Sequence, residues 1–231
     1  MPIERIRQTV QPTASQQAAL DELKAASAKA GKLLRAACPA AVPATPLARL
    51  SAIDDRLEAT LEAIDIVRPA LANFYSLLSD EQKARFNAIG PRQNEPAPLS
   101  QSPDGQRQPV DRTAEAPASP NQPAEICDKE ASALPDRTIQ RIAEVVRPTG
   151  REQEALEHLK DASSKASATL HAACPTEAPA TPVARLDAMT KRIEAMLQAV
   201  AAIRPALKTF YGELSDEQKL RFNAMAAPQP G

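Results

Sequence analysis

The stretch that decides the fold is present twice. Residues 68–83 read RPALANFYSLLSDEQK and residues 204–219 read RPALKTFYGELSDEQK, with twelve of the sixteen positions identical. The offset is that between Cys38 and Cys174 (174 − 38 = 136). Carried outward without a gap, it aligns 3–89 with 139–225 and leaves 49 of the 87 pairs identical. Further shared blocks are AACP at 36–39 and 172–175 and PATP at 43–46 and 179–182. A gapless match at this level means two copies of one domain, not a solenoid of short units. We therefore expect one helical repeat over 1–89, beginning late relative to its twin, and a second over 126–227.

The segment between them, 90–125, is dense in Pro, Gln, Ser and charge and almost free of large apolar residues. It cannot bury enough surface to offset the entropy of ordering, so it reads as a disordered Pro-rich linker. Composition points the same way for the rest. The 231 residues carry a net charge of −1, 3% aromatics, no Trp, and 22 Pro against 6 Gly. Helix formers dominate and β-branched runs are scarce, which favours an all-α fold over sandwiches and parallel sheets. No global basic field calls for nucleic acid, and no apolar run is long enough to insert in a membrane.

Each copy divides into four helices. A short one over 2–10 (138–146 in the second copy) stops at Pro12 or Pro148. Thr13 with Gln16, and Thr149 with Glu152, form a capping box that opens the second helix, which runs to about Ala37. Prolines 39, 43 and 46 enforce an extended connection, and Thr45-Pro46 restarts a helix as N-cap and first residue. In this third helix Leu50, Leu57, Ile64, Leu71 and Leu78 recur every seven residues, with Ile53, Val67 and Phe74 three places after members of that row. Leu186, Ile193, Val200, Leu207 and Leu214 repeat the pattern. Such a seam requires a facing helix. It is either the core of its own bundle or a surface shared between copies or chains. Pro69 and Pro205 lie inside the helix off the apolar rows and are expected to bend it. Ser79 with Gln82, and Ser215 with Gln218, form a second capping box, with Asp and Glu complementing the dipole of the last helix.

The ordered set of a T/S-x-x-Q/E step, RPAL, FY and LSDEQK-RFN resembles the LTxxQ-motif family, which includes the Spy/CpxP-like periplasmic chaperones. The motif stands here as Leu78–Gln82 and Leu214–Gln218, with weaker forms at 12–16 and 148–152, and Ser replaces its Thr. The resemblance implies an envelope-stress protein whose domains pair antiparallel into a cradle that holds unfolded or partly folded clients without ATP. Applied to a tandem chain, it implies an intramolecular pseudo-dimer, or a homodimer, in the periplasm. A cytoplasmic location follows instead if Met1 is the native start, because residues 1–20 show no apolar signal core. The runner-up readings are a zinc- or copper-binding envelope-stress protein and a non-catalytic scaffold.

Repeat comparison also bears on the cysteines. Cys38 and Cys174 are equivalent, whereas Cys127 would match a position upstream of residue 1. The expectation is one disulfide per full domain, here Cys127–Cys174, with a Cys38–Cys174 bridge and three free thiols as alternatives. Closing the Cys127–Cys174 loop would stabilise by about 4 kcal/mol in the chain-entropy treatment. His158 and His171 lie thirteen residues apart on one helix and are expected on its wet surface, and no metal site or cofactor is read from the sequence. No nucleophile elbow, phosphate loop or metalloprotease motif supports an enzyme. Arg49, Arg56 and Arg68, repeated as Arg185, Arg192 and Arg204, are expected to face clients as a mixed basic and apolar surface.

Overall fold

The computed structural model describes residues 3–39, 41, 43–89 and 136–225. The expected linker 90–125, the start of the second copy and Cys127 lie outside these. The first copy consists of α1 (Ile3–Val10), α2 (Ala14–Ala36), α3 (Pro46–Ser76) and α4 (Asp80–Asn87). The second consists of α5 (136–146), α6 (Arg151–Ala172), α7 (Pro182–Glu213) and α8 (Asp216–Ala224). The described residues contain no strand. Each copy is a four-helix unit, as the stop signals indicate.

The local reasons are those of the sequence. Gln11 and Arg147 take positive φ values of 52° and 54° just ahead of Pro12 and Pro148. Their amides close the preceding turns on Arg7 O and Ala143 O, each at 2.9 Å. A left-handed residue followed by proline ends α1 and α5 within a single step. The Thr45 and Thr181 hydroxyls accept from Ala48 N and Ala184 N, with Pro46 and Pro182 in the first turn. The second copy departs from its expected cap in one place. Gly150, at φ 54° and ψ −121°, occupies the N-cap of α6 instead of Thr149, so that helix starts one residue later.

Within a copy the two long helices form a hairpin, and the short helices close one end of it. The first core gathers Ile6 and Val10 from α1, Leu20 and Leu23 from α2, Leu71 and Phe74 from α3, and Phe86 from α4. Phe74 and Phe86 meet edge to face at 5.8 Å, and Phe210 and Phe222 do the same at 5.7 Å. Each such fully buried side chain contributes about 1.5–3 kcal/mol. This core uses only the N-terminal half of α2 and the C-terminal half of α3.

The other half of the seam goes elsewhere. Leu47 and Leu50, at the start of α3, pack on the second copy's core, and Val183 and Leu186, at the start of α7, pack on the first's. The helices α3 and α7 run antiparallel in contact along the junction, so the seam is a bundle core in its C-terminal half and an inter-copy surface in its N-terminal half. Ile53 remains 51% exposed. Pro69 and Pro205 both lie on the exposed side of their helices.

An added Cβ at Gly150 meets nothing within 4 Å, so Gly150→Ala isolates the backbone conformation. It is expected to lower stability by about 1–2 kcal/mol in urea unfolding; an unchanged midpoint would refute the left-handed cap.

Candidate functional site

Four features of the molecule bear on function, and the first three are repeated across the copies. The first is a buried amide cluster. Gln16 and Gln82 come from capping boxes 66 residues apart, yet their side chains bond to one another reciprocally. Gln16 Nε2 donates to Gln82 Oε1 at 2.9 Å, and Gln82 Nε2 donates to Gln16 Oε1 at 3.0 Å. The same oxygens accept the cap amides of Thr13 and Ser79 at 2.9 Å. The remaining donors reach Leu77 O, Val10 O and Gln11 O. The positive φ of Gln11 thus presents a carbonyl that the cluster takes up. In the second copy Glu152 replaces Gln16: it accepts from Gln218 Nε2 at 2.7 Å and from Thr149 N at 2.9 Å. An ionised carboxylate donates nothing, so reciprocity is lost there. The sequence shows the four boxes but not that they dock head to head.

The second feature is the inter-copy staple. Arg68 Nε donates to Asp187 Oδ1 at 2.6 Å, and Arg204 pairs with Asp54. The two arginines are repeat-equivalent, but the acids are not: Asp187 aligns with Ser51 and Asp54 with Thr190, one helical turn apart. Arg49 donates to Pro43 O, Ala44 O and, across the junction, Asn223 O at 3.2 Å. Arg185 donates to Pro179 O and, across the junction, to Asn87 O at 2.8 Å and Ile89 O at 3.5 Å. Four of the six arginines read as a client surface therefore hold the copies together. Of the other two, Arg56 is exposed and lies 3.7 Å from Cys38 Sγ, and Arg192 is half-buried.

The third feature is a pair of apolar troughs. One, of about 420 Å³, is lined by Ile3, Ile6, Leu23, Leu34, Val67 and Leu71, among others, with Leu186 and Met189 of the second copy at its margin. The other, of about 400 Å³, is lined by Ile139, Ile142, Leu159, Leu170, Ile203 and Leu207, the residues 136 positions on. No ionisable side chain lines either trough. Their floors are buried core residues, while Leu34 and Met189 are 36% and 46% exposed. The heptad rows indicate these residues, but not that a concavity remains between the helices.

The fourth concerns the thiols and imidazoles. Cys38 is a free, exposed thiol, so it does not bridge to Cys174. Cys174 is half-buried and not free, and Cys127, its expected partner, lies outside the described residues. His158 and His171 are both on the exposed surface of α6. Among the described residues no three His, Cys, Asp or Glu side chains cluster as a metal site would need, and no helix is long and apolar enough to cross a membrane.

Two copies of a capped four-helix unit, crossed antiparallel and each keeping an apolar trough, define an all-α protein built by internal duplication. Comparison with protein families matches the description "LTXXQ motif family protein" over residues 1–90 and 135–226, and the chain belongs to that family. Comparisons with curated proteins and with solved structures give no match.

Two predictions follow from this geometry. Gln82→Leu leaves Ser79 N, one Gln16 N–H and the Val10 and Gln11 carbonyls without the partner they have here, and is expected to cost about 2–4 kcal/mol in urea unfolding. The Arg68 hydrogen bond holds the Asp187 carboxyl below its ordinary value, and Asp187 in turn holds the Arg68 guanidinium above its own. A carboxyl depressed in the folded state stabilises above its unfolded value, about pH 4, and that contribution is lost as pH falls through the lower folded value. A distance label spanning α3 and α7 should therefore be steady from neutrality to pH 5 and open further on acidification below pH 4. The acid response should be smaller in Asp187→Asn, and an identical response in both proteins would exclude the pair from the junction.

Proposed function

We propose that this protein is an ATP-independent chaperone of the cell envelope that holds unfolded or partly folded proteins, without catalysis, in its two apolar troughs. The observation that carries the reading is the pair of equivalent concavities, each lined mainly by aliphatic side chains, with no ionisable group and with Thr60 and Ser163 spending their hydroxyls on backbone carbonyls of their own helices. Small-molecule and catalytic sites combine an apolar wall with a few convergent polar groups that fix orientation. These troughs offer no charged group and only scattered hydroxyls, so they favour apolar side chains in many orientations, which is what a binder of many unfolded sequences needs. Family membership supports the envelope-stress setting. In that oxidising compartment we assign a Cys127–Cys174 disulfide, to be checked by non-reducing peptide mapping; recovery of Cys127 as a free thiol from air-oxidised protein would remove it.

The test is suppression of aggregation of a chemically denatured protein on dilution, without nucleotide, at near-stoichiometric ratios. Wild type should suppress light scattering. A Leu34→Asp, Leu170→Asp double variant, which places a charge in each trough, should lose most of that effect while keeping its helical circular dichroism. Failure of the wild-type protein at tenfold excess over client would defeat the reading.

A further inference from the structure

The duplication has produced one junction that is closed and one that is open. At the closed junction all three guanidinium nitrogens of Arg185 have carbonyl partners: Pro179 O, Ile89 O and Asn87 O. At the open one, Arg49 Nε and Nη2 are bonded, but Nη1 is buried without a partner. Arg49 also lines a cavity of about 430 Å³ that adjoins the second trough, sharing Ile142, Leu207 and Phe222 with it, and is marked off by the three arginines that border it: Arg49, Arg137 and Arg141. Its apolar wall includes Leu50, Leu207 and Phe222, and no carboxylate lines it. Arg137 and Arg141 are exposed on α5 and have no ion-pair or hydrogen-bond partner among the described residues. In the first copy the equivalent positions hold Met1 and Arg5, so the basic cluster is particular to this junction.

Arg49 thus keeps a donor that the junction leaves unmet, which is uncommon, and Arg137 and Arg141 add two unpaired cations at the cavity wall. Guanidinium groups pair with carboxylates through parallel N–H···O bonds, and the neighbouring wall accepts an alkyl chain. The cavity is of the size of small-molecule sites. We propose that this junction binds an aliphatic carboxylate, its head group between Arg49, Arg137 and Arg141 and its chain against Leu207 and Phe222. The site shares Leu207 and Phe222 with the second trough, but neither Arg137 nor Arg141 lines a trough, so removing them tests the carboxylate site while leaving both trough linings intact.

Isothermal titration of the full chain with decanoate tests this, with acetate and decanol as probes lacking the chain and the charge respectively. Decanoate should bind saturably, and neither control should match it. Arg137→Ala with Arg141→Ala should raise the decanoate Kd at least tenfold, and Arg5→Ala, the change at the counterpart of Arg141, should leave it unchanged. Urea midpoints within error of wild type establish that both variants are folded, and aggregation suppression by the double variant should match wild type. Non-saturable decanoate heats, binding of decanol equal to that of decanoate, or an unaltered Kd in the double variant would each overturn the proposal.

Discussion

The structure depends on a mismatch of lengths. A helix of about thirty residues is roughly 45 Å long, and α3 carries its apolar rows along its whole length. The short helices α1 and α4 can cover only one end of it, so a second object of similar length must cover the rest. The other copy's long helix, laid antiparallel, does this for both partners at once: the exposed start of each helix meets the packed end of the other. The pairing needs neither a large interface nor strong ion pairs. Joining both copies in one chain makes their association intramolecular, which raises the effective concentration of one for the other. Exposed pairs such as Arg68–Asp187 contribute little energy at their degree of solvation, and serve chiefly to fix register.

Coverage remains incomplete, and the remainder is what bears on function. A two-stranded seam would be filled by knobs entering holes along its length. Here α2 runs alongside α3 and α7 crosses it, leaving a concavity with small residues such as Ala30, Gly31 and Ala63 in its lining. Larger side chains at those places would close it. The alanine-rich composition that lowers the apolar payload of the core thus also leaves space against the helix surface.

Most of the architecture was legible because helix punctuation is local chemistry. Thr45-Pro46, Ser79 with Gln82, and Pro12 each act on the residues beside them, and the observed boundaries follow them closely. What escaped the sequence was long-range. Nothing in a capping box signals that its glutamine will meet another glutamine 66 residues away. Nothing in the spacing of Arg49, Arg68, Arg185 and Arg204 separates a basic client surface from a staple, since both require the same residue on the same helix face. The displacement of the α6 cap from Thr149 to Gly150 was missed for a local reason. Glycine permits a backbone conformation that Ala14 does not share in the first copy, and the T-x-x-E pattern is unchanged by it.

Covalent duplication also removes a constraint that symmetric assembly imposes. In a homodimer each substitution appears on both sides of the axis, so an acid that suits one arginine is copied opposite the other. In a tandem chain the halves can drift apart, and they have done so at three structurally related places. The acids facing Arg68 and Arg204 sit one turn apart in the alignment, Glu152 has replaced the reciprocal glutamine, and Arg49 retains an unbonded nitrogen where Arg185 has none. The first two changes preserve the contact by a different route: an acid still reaches each arginine, and a side-chain oxygen still receives the Gln218 amide. The third does not, because no carbonyl has moved in to take the donor. A junction left open beside an arginine that the other copy lacks, Arg137, is a difference that packing does not require, so its origin is better sought in a ligand than in the fold.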